Sequence, residues 1–215
     1  TSLAGIAGFI AVCPGNTPVF VVDIYPSVKL SEDKMKPSYV LTLSDPLADL
    51  ETVGGKGMSL AKMANAGLPI PGGFHITTDA YRTFIEANDL QTKILAALKD
   101  VDAALPASLE TTSVTISRFF AESKIPEDIA ADITNAYIEL CNRQSKIENQ
   151  KSVAVRSSAT AEDLPEASFA GQQDTYLNIR GDGALLDAVK KCWGSLWTAR
   201  AIAYRARQNI APDSV

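Results

Sequence analysis

The run Val153-Ala154-Val155-Arg156-Ser157-Ser158-Ala159-Thr160-Ala161-Glu162-Asp163-Leu164-Pro165 leads on through Ser168-Phe169-Ala170-Gly171-Gln172-Gln173-Asp174-Thr175. Its first five residues have the period-two pattern of a strand, apolar at the start, with Arg156 emerging at the carboxyl end. A polar loop with small residues and one glycine follows, and Thr175-Tyr176-Leu177-Asn178-Ile179 reads as a second strand. An arginine at a strand end can grip a phosphate bidentately while a loop of hydroxyls and small residues closes over it. Composition alone also allows a solvated loop between two surface strands.

Upstream, Tyr39-Val40-Leu41-Thr42-Leu43 predicts a short strand with a turn at Ser44-Asp45-Pro46. A helix is expected from about Lys56 to Ala66, stopped by Gly67, Pro69 and Pro71. Phe74 to Thr77 reads as a strand, and Thr78 as the cap of a helix striped by Tyr81, Phe84 and Ile85. Leu105 to Ser108 reads as a loop. Pro126 opens a helix striped by Ile129, Ile133, Tyr137 and Leu140. Beyond a turn at Arg180-Gly181-Asp182-Gly183, the spacing of Leu186, Val189, Trp193, Trp197 and Tyr204 predicts one long helix.

The segment Val53-Gly54-Gly55-Lys56-Gly57-Met58-Ser59 puts a lysine among glycines where a helix begins. Such a site suits an anion: free N–H groups and the helix dipole point at it, glycines let backbone approach, and the lysine adds a mobile charge. It is not a Walker A loop, which needs a glycine five residues ahead of Gly55, where Leu50 stands. By itself the cluster is equally a plain glycine-rich helix start.

With 215 residues, 46% hydrophobic and 21% charged, the chain has the composition of a soluble globular protein of one or two domains. A formal net charge of −5 argues against a nucleic-acid binder or a partner of acidic membranes, both of which need a positive field. An anionic ligand must then be held by locally placed cations. Beside a phosphate at 4 Å, one cation is worth about 1 kcal/mol in water and about 4 at an effective dielectric of 20, so a few enclosed cations outweigh the net charge. Cys13, Cys141 and Cys192 are widely spaced and odd in number, which suggests neither a zinc site nor a disulfide framework and fits a reducing cytoplasm. Leu3 to Cys13 is apolar but too short to cross a bilayer, and because it lacks basic residues before it a packed or disordered extension is favoured over the remnant of a signal h-region. Residues 1–37 therefore read as an N-terminal extension without assigned chemistry, with a possible strand from Val19 to Ile24, and residues 38–215 as the functional unit.

The run from Val155 to Thr175 closely resembles the signature of phosphoenolpyruvate synthases, pyruvate phosphate dikinases and relatives such as rifampin phosphotransferases. The resemblance extends from about Tyr39 to Val215, taking in Gly54-Gly55-Lys56-Gly57, Gly67-Leu68-Pro69-Ile70-Pro71-Gly72-Gly73-Phe74 and Ala199 to Ala206. It implies an α+β fold, the first part of an ATP-grasp-like nucleotide-binding domain with a short mixed or antiparallel sheet and several helices. It implies phosphate contacts from Lys56 and Arg156, and a nucleotide lying along Gly171, Gln172, Asp174 and Thr175. Ser157, Ser158 and Thr160 are weaker candidates, since their hydroxyls can simply shape the turn. The ligands implied are ATP and Mg2+, with the metal ligands outside this chain, and the parent enzyme would be a cytoplasmic phosphotransferase. It would pass a phosphoryl group to a histidine on another domain and then to pyruvate, giving phosphoenolpyruvate. A rifampin phosphotransferase or a non-catalytic nucleotide-binding module are the alternatives.

No catalytic residue is assigned within the chain. Glu162 and Asp163 could hold magnesium, but a loop-capping role is favoured because the family's metal ligands lie in the second half of the domain. His75 is not the family's phosphohistidine, which comes later in a motif absent here; a lone strand histidine reads as structural. Trp193 and Trp197 read as helix packing rather than a base-stacking platform.

Overall fold

The computed structural model describes residues 5–12, 22–25, 38–144, 152–158, 174–208 and 210–211, the first two ranges as backbone only. In chain order the elements are β1 (Gly5–Val12), β2 (Val22–Tyr25), β3 (Val40–Thr42), α1 (Leu50–Asn65), β4 (Gly72–Ile76), α2 (Thr78–Ala87), α3 (Leu90–Leu98), α4 (Pro106–Glu122), α5 (Glu127–Gln144), β5 (Val153–Ser157), β6 (Thr175–Ile179), α6 (Asp182–Gly194) and α7 (Ala199–Arg207). A single 3-10 turn, Ser195–Trp197, joins the last two helices. The fold is α+β.

The strands form one sheet in the order β3-β4-β1-β5-β6, with β2 paired to β1, and every described pairing is antiparallel. The apolar N-terminal segment, left without a role by its sequence, supplies β1, whose backbone pairs with β5 from Gly8 opposite Ser157 to Ala11 opposite Ala154. Strand β2 occupies Val22–Tyr25, and the remainder of the strand expected over Val19 to Ile24 lies outside the described residues.

Side chains alternate across the sheet. Val153 and Val155 of β5, with Phe74 and Ile76 of β4, point into a large core shared with Tyr81, Phe84, Ile116, Phe120, Ile129, Ile133 and Trp193. Ala154 points the other way, against Leu43 and Leu60, while Leu41 packs with Ala48, Val53 and Ala61. Among the described residues, one face of the sheet thus packs against α1 and the other against the main helical core. The same alternation sends Arg156 to the α1 face.

Several boundaries differ from those the sequence predicts, each for a local reason. Leu105 to Ser108 is not a loop: Leu105 is the extended residue before α4 and Pro106 fills its first turn, where a missing N–H is harmless. Thr77, not Thr78, precedes α2; Thr77 donates its hydroxyl to the Ser38 carbonyl (2.7 Å), and Thr78 donates its own to the Glu51 carbonyl (3.0 Å). The expected long terminal helix is broken at Thr198, whose extended backbone and side-chain oxygen, accepting from the Ala201 N–H at 3.2 Å, start α7 afresh. Leu185 rather than Leu186 is buried on α6.

Trp193 and Trp197 are fully buried, as their helical spacing suggests. The Trp193 ring stands edge-on to Tyr81 at 6.0 Å and tilts against Phe84 at 4.8 Å, and Phe84 meets Phe120 at 5.9 Å. These centroid distances lie in the range where aromatic pairs add to their area burial. Phe84→Ala opens a cavity in this cluster and is expected to destabilise the protein by about 3–5 kcal/mol, read from its urea midpoint.

Candidate nucleotide-binding site

Helix α1 is two helical segments joined at Gly54, which has φ 66° and ψ −168°. That region is essentially closed to residues with a Cβ. The first segment is capped by Asp49, whose Oδ1 accepts from the Thr52 N–H and hydroxyl, both at 2.8 Å. The second begins with the glycine cluster, so the helix start read at Lys56 corresponds to a real restart. Gly57 lies close to β4: a Cβ there would stand 3.1 Å from Val53 and 3.4 Å from His75 Nδ1.

His75 is wholly buried beneath this contact. Desolvation lowers its pKa from 6.5 to about 4, against a smaller upward pull from a hydrogen bond with the Leu43 backbone. It is neutral near pH 7 and sealed from any ligand, a packed residue of the strand.

Strand β5 brings the second arm of the site. Arg156 is half-buried, opposite Phe9 of β1 on one side and Thr175 of β6 on the other. Ser157 and Ser158 follow, both buried. The Ser157 hydroxyl donates to the Asp174 carbonyl at 3.3 Å, joining the end of β5 to the residue before β6. Ser158 reaches the other way. Its Oγ accepts a hydrogen bond from the Lys56 N–H at 3.2 Å, joining positions 102 residues apart.

The fold therefore brings the Lys56 segment, Arg156, Asp174 and Thr175 to one end of the sheet. Thr175 is exposed beside Arg156. The Asp174 carboxylate receives the Tyr176 hydroxyl at 3.4 Å and lies 3.9 Å from an Arg200 guanidinium nitrogen. Gly171 and Gln172, with Thr160, Glu162 and Asp163, lie outside the described residues. Among the described residues no three His, Cys, Asp or Glu side chains converge on a metal position, and no helix is long and apolar enough to cross a membrane.

Arg200 and Arg205 were not singled out by sequence. Arg200 follows the Thr198 cap and is placed near Asp174 only by the break before α7. Arg205 is buried, donates to the Leu196 carbonyl at 2.7 Å and stacks over Trp197 at 4.5 Å. Burial lowers its pKa to about 10, partly offset by Tyr81, so it stays charged at neutral pH.

A family model described as pyruvate phosphate dikinase, AMP/ATP-binding domain, matches residues 50–215. The chain belongs to this family. Membership in this AMP/ATP-binding family supports ATP as a ligand. A probable phosphoenolpyruvate synthase of Methanocaldococcus jannaschii is 50% identical over 162 residues, covering 75% of this chain and 14% of that protein. The phosphoenolpyruvate synthase of Pseudomonas aeruginosa is 45% identical over 178 residues, covering 80% and 22%. That of Pyrococcus furiosus is 40% identical over 199 aligned residues, covering 78% and 24%. The chain thus spans a quarter or less of the length of these relatives.

Gly54→Ala should lose about 1–3 kcal/mol of stability in urea denaturation, whereas Gly183→Ala, with open space around it and no positive φ, should be close to neutral. The lowered pKa of His75 means that the unfolded chain binds a proton which the folded chain refuses between about pH 6.5 and pH 4. The histidine's contribution is intact above that window and is lost as pH falls through it, at up to about 1.4 kcal/mol per pH unit. Urea midpoints measured from pH 7 to 4 should show this slope, and His75→Gln should remove it.

Proposed function

We propose that the end of the sheet bearing Lys56 and Arg156 binds the phosphates of ATP, and that the whole protein is a phosphoenolpyruvate synthase. The observation that carries the first part is the joining of the glycine-rich helix restart to the end of β5 through Lys56 and Ser158. Two segments that separately suit an anion thereby become one cationic corner in a chain of net charge −5. Gly171, Gln172, Asp174 and Thr175 would lie along the nucleotide. Asp174 would act through its neighbours Arg200 and Tyr176 rather than by direct contact, because a carboxylate repels phosphate.

When bound, Mg2+ would supply positive charge that offsets the charge of the ATP phosphates. Its protein ligands would lie elsewhere in the protein, as the family resemblance implies. Lys56 and Arg156 would bind and orient the phosphate chain, and such positioning and charge neutralisation are the main levers of phosphoryl transfer.

In the whole protein the phosphoryl group would pass to a histidine on another domain and from there to pyruvate, giving phosphoenolpyruvate. The names of the relatives favour pyruvate over a rifamycin antibiotic as the acceptor. A cytoplasmic setting suits these substrates, and residues 38–215 would form the nucleotide-binding unit, with β1 completing its sheet.

Calorimetric titration with ATP and magnesium is the test. Lys56→Ala and Arg156→Ala should each weaken binding by about one to two orders of magnitude, the range expected for losing one charge-assisted phosphate contact. Equal affinity in both variants and the parent would remove the assignment.

A further inference from the structure

We propose that Ser158 is a positioning residue for Lys56, capping the helix restart from across the sheet and so setting the lysine relative to Arg156. The inference deepens the ATP-phosphate reading above and rests on it. A break at Gly54 starts a new helical segment within α1. The first N–H groups of such a segment lack regular intrahelical partners and are usually served by a Ser, Thr, Asp or Asn just before them. Gly54 and Gly55 stand there instead and have no side chain to offer. The hydroxyl oxygen that serves Lys56 comes from Ser158, 102 residues away and two residues beyond Arg156 on the same strand end.

This arrangement separates the roles of the two adjacent serines. Ser157 points to the helical-core side and fastens the Asp174 carbonyl, whereas Ser158 points to the α1 side and fastens Lys56. Ser158 is only 1% exposed, so its hydroxyl is shielded from solvent and already engaged with a backbone donor. It acts on a bound anion through Lys56, not by contact. This bond ties the lysine-bearing turn to the arginine-bearing strand end and so holds together the two backbone segments from which the cations project. A phosphate chain bridging the two segments would then meet a turn already held in place instead of ordering a loose one.

The test is a double-mutant cycle in ATP affinity, measured calorimetrically on the full-length protein with magnesium present. Ser158→Ala should weaken ATP about tenfold, and Ser158→Thr, which keeps the hydroxyl, should recover most of that loss. In a Lys56→Ala background, Ser158→Ala should change affinity by less than about twofold, since the residue it positions is gone. Hydrogen exchange of the peptide spanning Lys56 should be faster in Ser158→Ala than in the parent without nucleotide, a readout that survives even if the variant is less stable, because peptides from α4 serve as the internal reference. Additive losses in the double variant would mean that Ser158 acts on ATP independently of Lys56 and would overturn the proposal. So would parent-like affinity of Ser158→Ala, or unchanged exchange at Lys56. If Lys56→Ala itself left affinity unchanged, the phosphate-binding reading would fall, and the exchange result would still decide whether Ser158 holds this turn.

Discussion

Strand β5 is hydrogen-bonded along both edges, to β1 and β6, and is buried on both faces. A strand so placed has almost no freedom left, since slipping its register by one residue would carry Val153 and Val155 out of the main core. That constraint fixes where the strand ends. Arg156, Ser157 and Ser158 are therefore held at defined positions by the sheet behind them.

Helix α1 meets this strand end by a different device. Gly54 breaks the helix with a backbone conformation that a side chain would strain, and Gly57 lets the restarted helix settle onto His75. Both glycines lower the intrinsic preference for helix. The loss is offset by the burial of Leu60 and Ala61 against the sheet. A continuous helix would direct its first N–H groups at residue 50; the break moves a second helix start to the end of β5, where Lys56 is joined to Ser158. The buried Arg205 shows the opposite use of charge. Enclosed by Trp197, Tyr81 and the Leu196 carbonyl, it holds the corner between α6 and α7 together, and that corner carries Arg200 to Asp174.

Much of this was legible in the chain because it depends on short-range pattern. The period-two run at Val153–Ser157, the strand Thr175–Ile179 and the striped helices at Tyr81-Phe84-Ile85 and Ile129-Ile133-Tyr137-Leu140 all appear as their spacing implies. Lys56 and Arg156 stood out because glycine around a lysine, and an arginine at a strand end, are local chemical statements. The family resemblance carried by Arg156 to Thr175 agrees with the family match across residues 50–215.

What the sequence could not decide depends on partners far away in the chain. Gly5–Val12 reads as an unassigned apolar stretch, and only the pairing of its backbone with β5 makes it a sheet strand. Thr198 interrupts an otherwise helical stripe because its own oxygen caps α7 once the chain has turned. Ser157 and Ser158 are adjacent and chemically identical, yet alternation across the sheet sends one to Asp174 and the other to Lys56. By itself the sequence determined the kinds of element and the cations available to a phosphate, since propensity and charge belong to each residue. The tertiary structure decided that the Lys56 turn lies against the end of β5, because a hydrogen bond across 102 residues exists only after the sheet and α1 have packed.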